Sequence, residues 1–200
     1  MYHRLDEILL QQKENIEKVR ESGYPEQVSH AVRLQLEALR QGNKILIAGN
    51  GGSAADAQHL AGELVGRFLK ERKGLGAVAL STDTSILTSV GNDYGYGEIF
   101  ARQVEALGRP GDVFLGISTS GNSENIIRAV KKARELGLVT VCLTGRDGGE
   151  LKELCDCNMV VPLEETPRIQ EFHTMTVHMM CELVEEGMAE NQSEEMAGKL

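Results

Sequence analysis

At 200 residues with 41% hydrophobic content, the chain has enough apolar material for one sizeable core, and one domain is the expected organisation. Thirty acidic against 21 basic side chains leave a net charge of −9, which argues against a protein held on nucleic acid by phosphate contacts. The opening MYHRLDEILLQQKENIEKV is charged throughout, unlike a signal peptide, and no run approaches the roughly 18 apolar residues of a membrane span. Cys142, Cys155, Cys157 and Cys181 show no paired metal-ligand spacing and read as reduced thiols of a cytoplasmic protein.

Residues 3–20 place Leu5, Ile8, Leu9, Ile16 and Val19 toward one side of a predicted helix. Residues 26–41 do the same with Val28, Val32, Leu36 and Leu39, with Pro25 near the start, where helix entry tolerates it. Two amphipathic helices ahead of the first strand are more than a small sheet needs, so both are expected to pack partly against another subunit. Residues 45–48 are a short apolar run of buried-strand type, followed by the glycine-rich turn 49–53 and a helical pattern carrying Ala57, Leu60, Ala61, Leu64 and Phe68. Residues 76–80 predict a second strand, 85–90 a helical piece, 91–97 a loop rich in turn formers and 99–107 another helix.

A third strand is expected over 112–117, leading through Ser118-Thr119-Ser120-Gly121-Asn122-Ser123 into a helix with Ile126, Val130 and Ala133 on one face. Residues 139–143 and 158–161 predict the fourth and fifth strands, with a short helix over 150–154 between them. A last helix runs from Arg168 to about Gly187. Strands alternating with helices make an α/β fold: a parallel sheet covered on both faces, whose ligands bind beyond the strands' carboxyl ends. The glycine- and hydroxyl-rich turns all fall at those ends.

Two of these turns have the makings of an anion site. Strand, glycine turn and helix point backbone N–H groups and a helix dipole at one spot, and the 118–123 loop adds four hydroxyls. One or two hydroxyls would need no role beyond helix capping; four suit a phosphate monoester. In a chain this acidic, the phosphate would be held mainly by backbone amides and hydroxyls. His59 and Glu63, at i and i+4, share a helix face and could be a solvated ion pair or a proton-handling or metal-binding pair. On the last helix Gln170, Thr174 and His178 form an i, i+4, i+8 ridge, so Gln170 and His178 can face the same space, and His173 lies about as close to Gln170 in helical angle.

Taken together, GNGGSAADAQH, VGNDYGYGEIF, GDVFLGISTSGNS, LTGRDGG and RIQEFH resemble the sedoheptulose 7-phosphate isomerase (phosphoheptose isomerase) family of the SIS fold, over about residues 5–187. The resemblance implies a single SIS domain over 1–200 with a five-stranded, flavodoxin-like parallel sheet flanked by helices, and extra N-terminal helices at 3–41 packed against neighbouring subunits. It implies a cytoplasmic homotetramer with sites shared between subunits, engaging neither nucleic acid nor membrane. The implied reaction is the aldose–ketose isomerisation of D-sedoheptulose 7-phosphate to D-glycero-D-manno-heptose 7-phosphate through an enediol, the first step toward nucleotide-activated heptoses.

By the same resemblance Glu63 is the general base and His178 the general acid/base, and His59, Glu63, Gln170 and His178 hold one zinc ion per subunit, in a catalytic, structural or regulatory role. Substrate contacts fall on Asn50, Gly51, Gly52, Ser53, Glu63, Asn92, Asp93, Ser118, Thr119, Ser120, Ser123 and Gln170. The chemistry agrees, since moving a carbonyl from C2 to C1 needs a base at carbon and an acid or metal at oxygen. The alternative is a non-catalytic SIS protein binding the replication initiator or another partner. As relatives of that kind lack the glutamate and second histidine, the presence of both here favours the enzyme. A phosphosugar-sensing SIS module is a second rival, usually fused to a DNA-binding or kinase domain for which this chain has no room.

Overall fold

β1 (Ile45–Gly49), β2 (Ala77–Ala79), β3 (Val113–Ser118), β4 (Val139–Gly145) and β5 (Cys157–Val161) pair in parallel in the order β2-β1-β3-β4-β5. This computed structural model describes residues 2–197, and side chains for residues 2–189. β1 and β3 are buried along their whole length, which is why they read as continuous apolar runs. Ile45 stands beside Val113, and Gly49 beside Ile117. The strand order reverses between β1 and β3, the switch point at which such sheets open a crevice beyond their carboxyl ends.

α1 (Tyr2–Arg20) and α2 (Tyr24–Arg40) precede β1, and α3 (Gly52–Val65) joins β1 to β2. α4 (Thr84–Tyr94), a 3-10 turn over Tyr96–Glu98 and α5 (Ala101–Leu107) lead to β3. α6 (Glu124–Glu135) and α7 (Leu151–Leu154) complete the next two crossovers, and α8 (Thr166–Ala197) follows β5. Side chains alternate across the pleat of β3. Val113, Leu115 and Ile117 enter a core layer shared with α2, α3 and α8, while Phe114 enters the opposite layer with Phe100, Val104, Ile126 and Val130. α1 joins the first of these layers only at its C-terminal end. It buries Val19 alone and leaves Leu5, Leu9, Leu10 and Ile16 exposed.

The structure corrects four readings. The expected loop over 91–97 is helical through Tyr94: Asp83 caps the start of α4 by accepting the Ile86 N–H at 2.9 Å, Gly91 continues the helix, and the chain breaks only at Gly95, with φ of 90°. Asn92 and Asp93 therefore stand on an exposed helical turn. The last helix does not stop near Gly187. That glycine is where α8 crosses α2, and an added Cβ would lie 2.6 Å from Leu36; Arg40 Nη2 donates to its carbonyl at 2.8 Å. Two of the four expected thiols are a disulfide, because the short crossover through α7 returns Cys155 to Cys142 of β4, with Cα atoms 6.4 Å apart. Cys157 and Cys181 are free and buried, and burial pushes their thiols up to about 11 and about 12.

The fourth concerns His173, which geometry on the sequence left level with its neighbours as a site candidate. It is fully buried beneath α8, with Nε2 donating to the Thr144 carbonyl at 3.1 Å, and is a core residue. Burial lowers its pKa from 6.5 to about 4, against the opposing pull of that hydrogen bond. Between those values the unfolded chain takes up a proton there that the folded chain refuses. Stability that is complete above about pH 6.5 should therefore fall as the pH drops toward 4. Urea midpoints measured across that window should show the slope, and His173→Gln should flatten it.

Candidate active site

The switch point is lined by the two predicted cradles. After β1 the chain turns so tightly that a Cβ on Gly49 would lie 2.4 Å from the Ser53 carbonyl oxygen, and Gly51 adopts φ of 56°. No side chain caps the start of α3, so its first turn presents backbone. After β3, the Ser118 and Ser123 hydroxyls meet at 2.9 Å, and Ser120 Oγ accepts the Asn122 N–H at 3.1 Å. Ser123 stands at the cap position of α6 without a side-chain capping bond, so capping does not account for its hydroxyl. Gly121, with φ of 67°, packs so closely on the 145–149 turn that a Cβ would lie 1.9 Å from the Gly148 carbonyl oxygen.

Two residues that the sequence reading missed bind these turns together. Asn50 and Asn125 exchange amide hydrogen bonds, 2.9 Å in each direction, and Tyr96 Oη donates to Asn50 Oδ1 at 3.0 Å. Asn125 was legible only as a polar residue in the first turn of the helix that follows the 118–123 loop; Tyr96 lay among turn formers. Asn92 and Asp93 bond each other, Nδ2 to Oδ1 at 2.8 Å, on the exposed turn of α4.

α3 and α8 both run back from the carboxyl edge of the sheet, side by side, and their facing polar residues form a ladder. At the top an added Cβ on Gly52 would meet Gln170 Nε2 at 2.6 Å. Next, Thr174 Oγ1 donates to Asp56 Oδ1 at 2.9 Å; burial raises the Asp56 carboxyl, opposed by that bond and by His59. Gly52, Asp56, Gln170 and Thr174 line one shallow groove. One turn further, His178 Nε2 and His59 Nε2 lie 3.2 Å apart, and His59 Nε2 lies 3.3 Å from Glu63 Oε1. The two rings meet edge to face, and Phe68 stands 5.7 Å from the His178 ring.

At the bottom Glu185 is buried. Burial alone would raise its carboxyl, but the N–H groups of Leu69, Lys70 and Phe68 and the guanidinium of Arg72 hold it below the ordinary glutamate range.

The ladder gathers His59, Glu63 and His178, and it sets Gln170 about 12 Å of helical rise above His178. Two nitrogens 3.2 Å apart match the edge of a zinc tetrahedron, about 3.3 Å for Zn–N bonds of 2.0–2.1 Å. The donors form a row with His59 in the middle, and among the described residues no three His, Cys, Asp or Glu side chains surround one point. Glu63 lies eleven residues below Gly52, about 16 Å along α3 from the cradles at the carboxyl edge.

Residues 5–145 match the SIS domain family. The phosphoheptose isomerase of Aliarcobacter butzleri is 56% identical over 176 residues, covering 88% of this chain and 93% of that one. That of Aquifex aeolicus is 58% identical over 84% of this chain and 87% of its own length. The structure of the phosphoheptose isomerase from Neisseria gonorrhoeae superposes with a TM-score of 0.87 at 44% identity, covering 92% of this chain and 98% of that one. The chain belongs to the SIS-domain proteins and, among them, to the phosphoheptose isomerase family.

Proposed function

We propose that the protein is an aldose–ketose isomerase that converts D-sedoheptulose 7-phosphate to D-glycero-D-manno-heptose 7-phosphate through an enediol. The observation that carries the reading is the contact of Glu63, His59 and His178 across the α3–α8 seam, in a chain more than half identical to phosphoheptose isomerases. A non-catalytic SIS protein is not favoured beside relatives so named.

Glu63 takes the proton from C1 while protonated His178 gives one to the C2 oxygen, forming the enediol. His178 then removes the O1 proton as the C1 carbonyl forms, and Glu63 returns its proton to C2. The 118–123 hydroxyls and the positive end of α6 hold the phosphate, while the 49–53 turn contacts the sugar. Asn92 and Asp93 serve as further substrate contacts.

Zinc, implied by family resemblance, would need His59, Glu63 and His178 to turn out of their row and converge, in a form where neither Glu63 nor His178 carries the transferred proton. The three are the two-histidine, one-carboxylate set of many catalytic sites. Bound there, it would polarise the sugar carbonyl. Gln170 of the same chain stands two turns off and would have to join from elsewhere in an assembly.

The separation of the cradle from Glu63 along α3 supports a homotetramer in which each site draws on more than one subunit. The bare apolar face of α1 and the absence of any buried residue on α4 support it too. An acidic chain does not favour nucleic acid, and no helix among the described residues is long and apolar enough to cross a membrane. A phosphorylated sugar does not cross a bilayer unaided, which supports action in the cytoplasm.

Mass spectrometry or NMR of sedoheptulose 7-phosphate incubated with the purified protein tests the activity, and no product would overturn it. Glu63→Gln should lower kcat by about 10²- to 10⁴-fold with the assembly intact by size exclusion; near-normal turnover would remove Glu63 as the base. Ser123→Ala should raise KM about tenfold or more while kcat stays within a few fold, since it removes a hydrogen bond to a charged group. An unchanged KM would move the phosphate away from this loop.

A further inference from the structure

Arg72 and Glu185 lie at the opposite edge of the sheet from the cradles, beside the start of β1. A helix end leaves carbonyl groups without intrahelical partners. Here Arg72, from the segment after α3, folds back and supplies them: Nη2 donates to the carbonyl of Glu63 itself at 2.9 Å, and Nη1 donates to that of Leu64 at 2.9 Å. Its Nε donates to Glu185 Oε1 at 3.1 Å. Glu185 also accepts the backbone N–H groups of Phe68, Leu69 and Lys70 at 3.1, 2.8 and 2.8 Å. The two side chains are 9% and 2% exposed. Four charge-assisted bonds on one desolvated carboxylate make this the most constrained contact along the seam.

Glu185 lies seven residues beyond His178, two turns down the same face of α8 to within about 20°. One buried pair therefore connects three parts of the proposed chemistry. It holds the backbone of Glu63, it anchors Phe68 against the His178 ring, and it sets how far α3 can slide against α8. A slip of one residue is about 1.5 Å, and a displacement near 1 Å can cost a catalytic group about 100-fold. We infer that Arg72 and Glu185 are positioning residues for the isomerisation, holding Glu63 and His178 in register across the α3–α8 seam. The inference rests on the assignment of Glu63 and His178 as the proton-transfer pair.

The test uses the full chain and two kinds of variant. Arg72→Met with Glu185→Leu removes the pair without leaving a charge buried, a replacement that folded proteins often tolerate. Glu185→Gln and Arg72→Lys each keep a polar partner but lose the carboxylate or the fork. For each, the stoichiometry of sedoheptulose 7-phosphate binding by calorimetry counts intact sites, so kcat is expressed per binding site. Partial unfolding lowers the stoichiometry and leaves that ratio unmoved.

The double variant should lose about 10- to 100-fold in kcat per site while its Kd for the substrate stays within threefold of wild type, because the cradle lies at the other edge. Arg72→Lys should recover only part of the loss, as one ammonium cannot serve two carbonyls and a carboxylate in that geometry. A double variant or a Glu185→Gln protein within twofold of wild type per site would overturn the inference. Glu63→Gln, assayed alongside, separates the two levels. Turnover by Glu63→Gln, or none by wild type, overturns the assignment of the pair; an inactive Glu63→Gln beside full-speed Arg72 and Glu185 variants overturns the positioning role alone.

Discussion

Two helices packed side by side with polar residues between them face a penalty wherever a polar group is buried without a partner. The α3–α8 seam meets this by pairing Asp56 with Thr174, His59 with His178, and the end of α3 with Glu185 through Arg72, while Gln170 packs closely over Gly52 at the top. Between these rungs, Ala57, Leu60, Ala61 and Leu64 share the core with Val177, Met180 and Val184. The apolar residues bring the helices together and the polar rungs set their register. A slide that kept the apolar contacts adequate would still unpair Arg72 from Glu185, both buried, at roughly 1–3 kcal/mol or more for each charged group, and would part Asp56 from Thr174 as well.

The sheet imposes the second constraint. With every strand parallel, every turn that leaves a carboxyl end lies along one edge, and the helices must run back toward the other. Asn50 and Ser118 are neighbours for this reason, although 68 positions separate them. The Asn50–Asn125 amide pair and the Tyr96 hydroxyl then make the two turns one surface. The same rule carries Glu63 away from that surface, because the third-last residue of α3 belongs to the far half of the molecule. The glycine-rich turn and Glu63, the proposed base, both built on the β1–α3 unit, are thus held apart by the geometry of the unit itself.

This explains which features were legible in the amino-acid sequence. The strands were, since buried parallel strands are short apolar runs bounded by glycine and hydroxyl residues, and all five fall where the pattern puts them to within two or three residues. The hydroxyl cradle was also legible, being contiguous. Readings that depended on what one residue touches were not. Gly187 looked like a helix stop and is a crossing point with Leu36; Gly91 looked like a turn and lies inside a helix. His173 and His178 sit on one helix five residues apart, about 140° around the axis, and only packing decides which is core. Cys142 and Cys155 have a spacing without meaning until α7 returns the chain.

Arg72 was the least legible, lying in a charged stretch, KERK, that reads as solvated surface. Its role follows from electrostatics once the fold is known. The last turn of a helix carries partial negative charge, so a guanidinium there is favourable both as a cation at the dipole's negative end and as a donor to unpaired carbonyls. Burying that cation would be costly alone, and Glu185 supplies the countercharge from α8. The carboxylate in turn is satisfied by three backbone N–H groups of the segment that brings Arg72 back. Each member therefore needs the others, and the closed set ends at the carbonyl of Glu63. A local demand, capping a helix, has been met in a way that also fixes where the side chain of Glu63, the proposed base, begins.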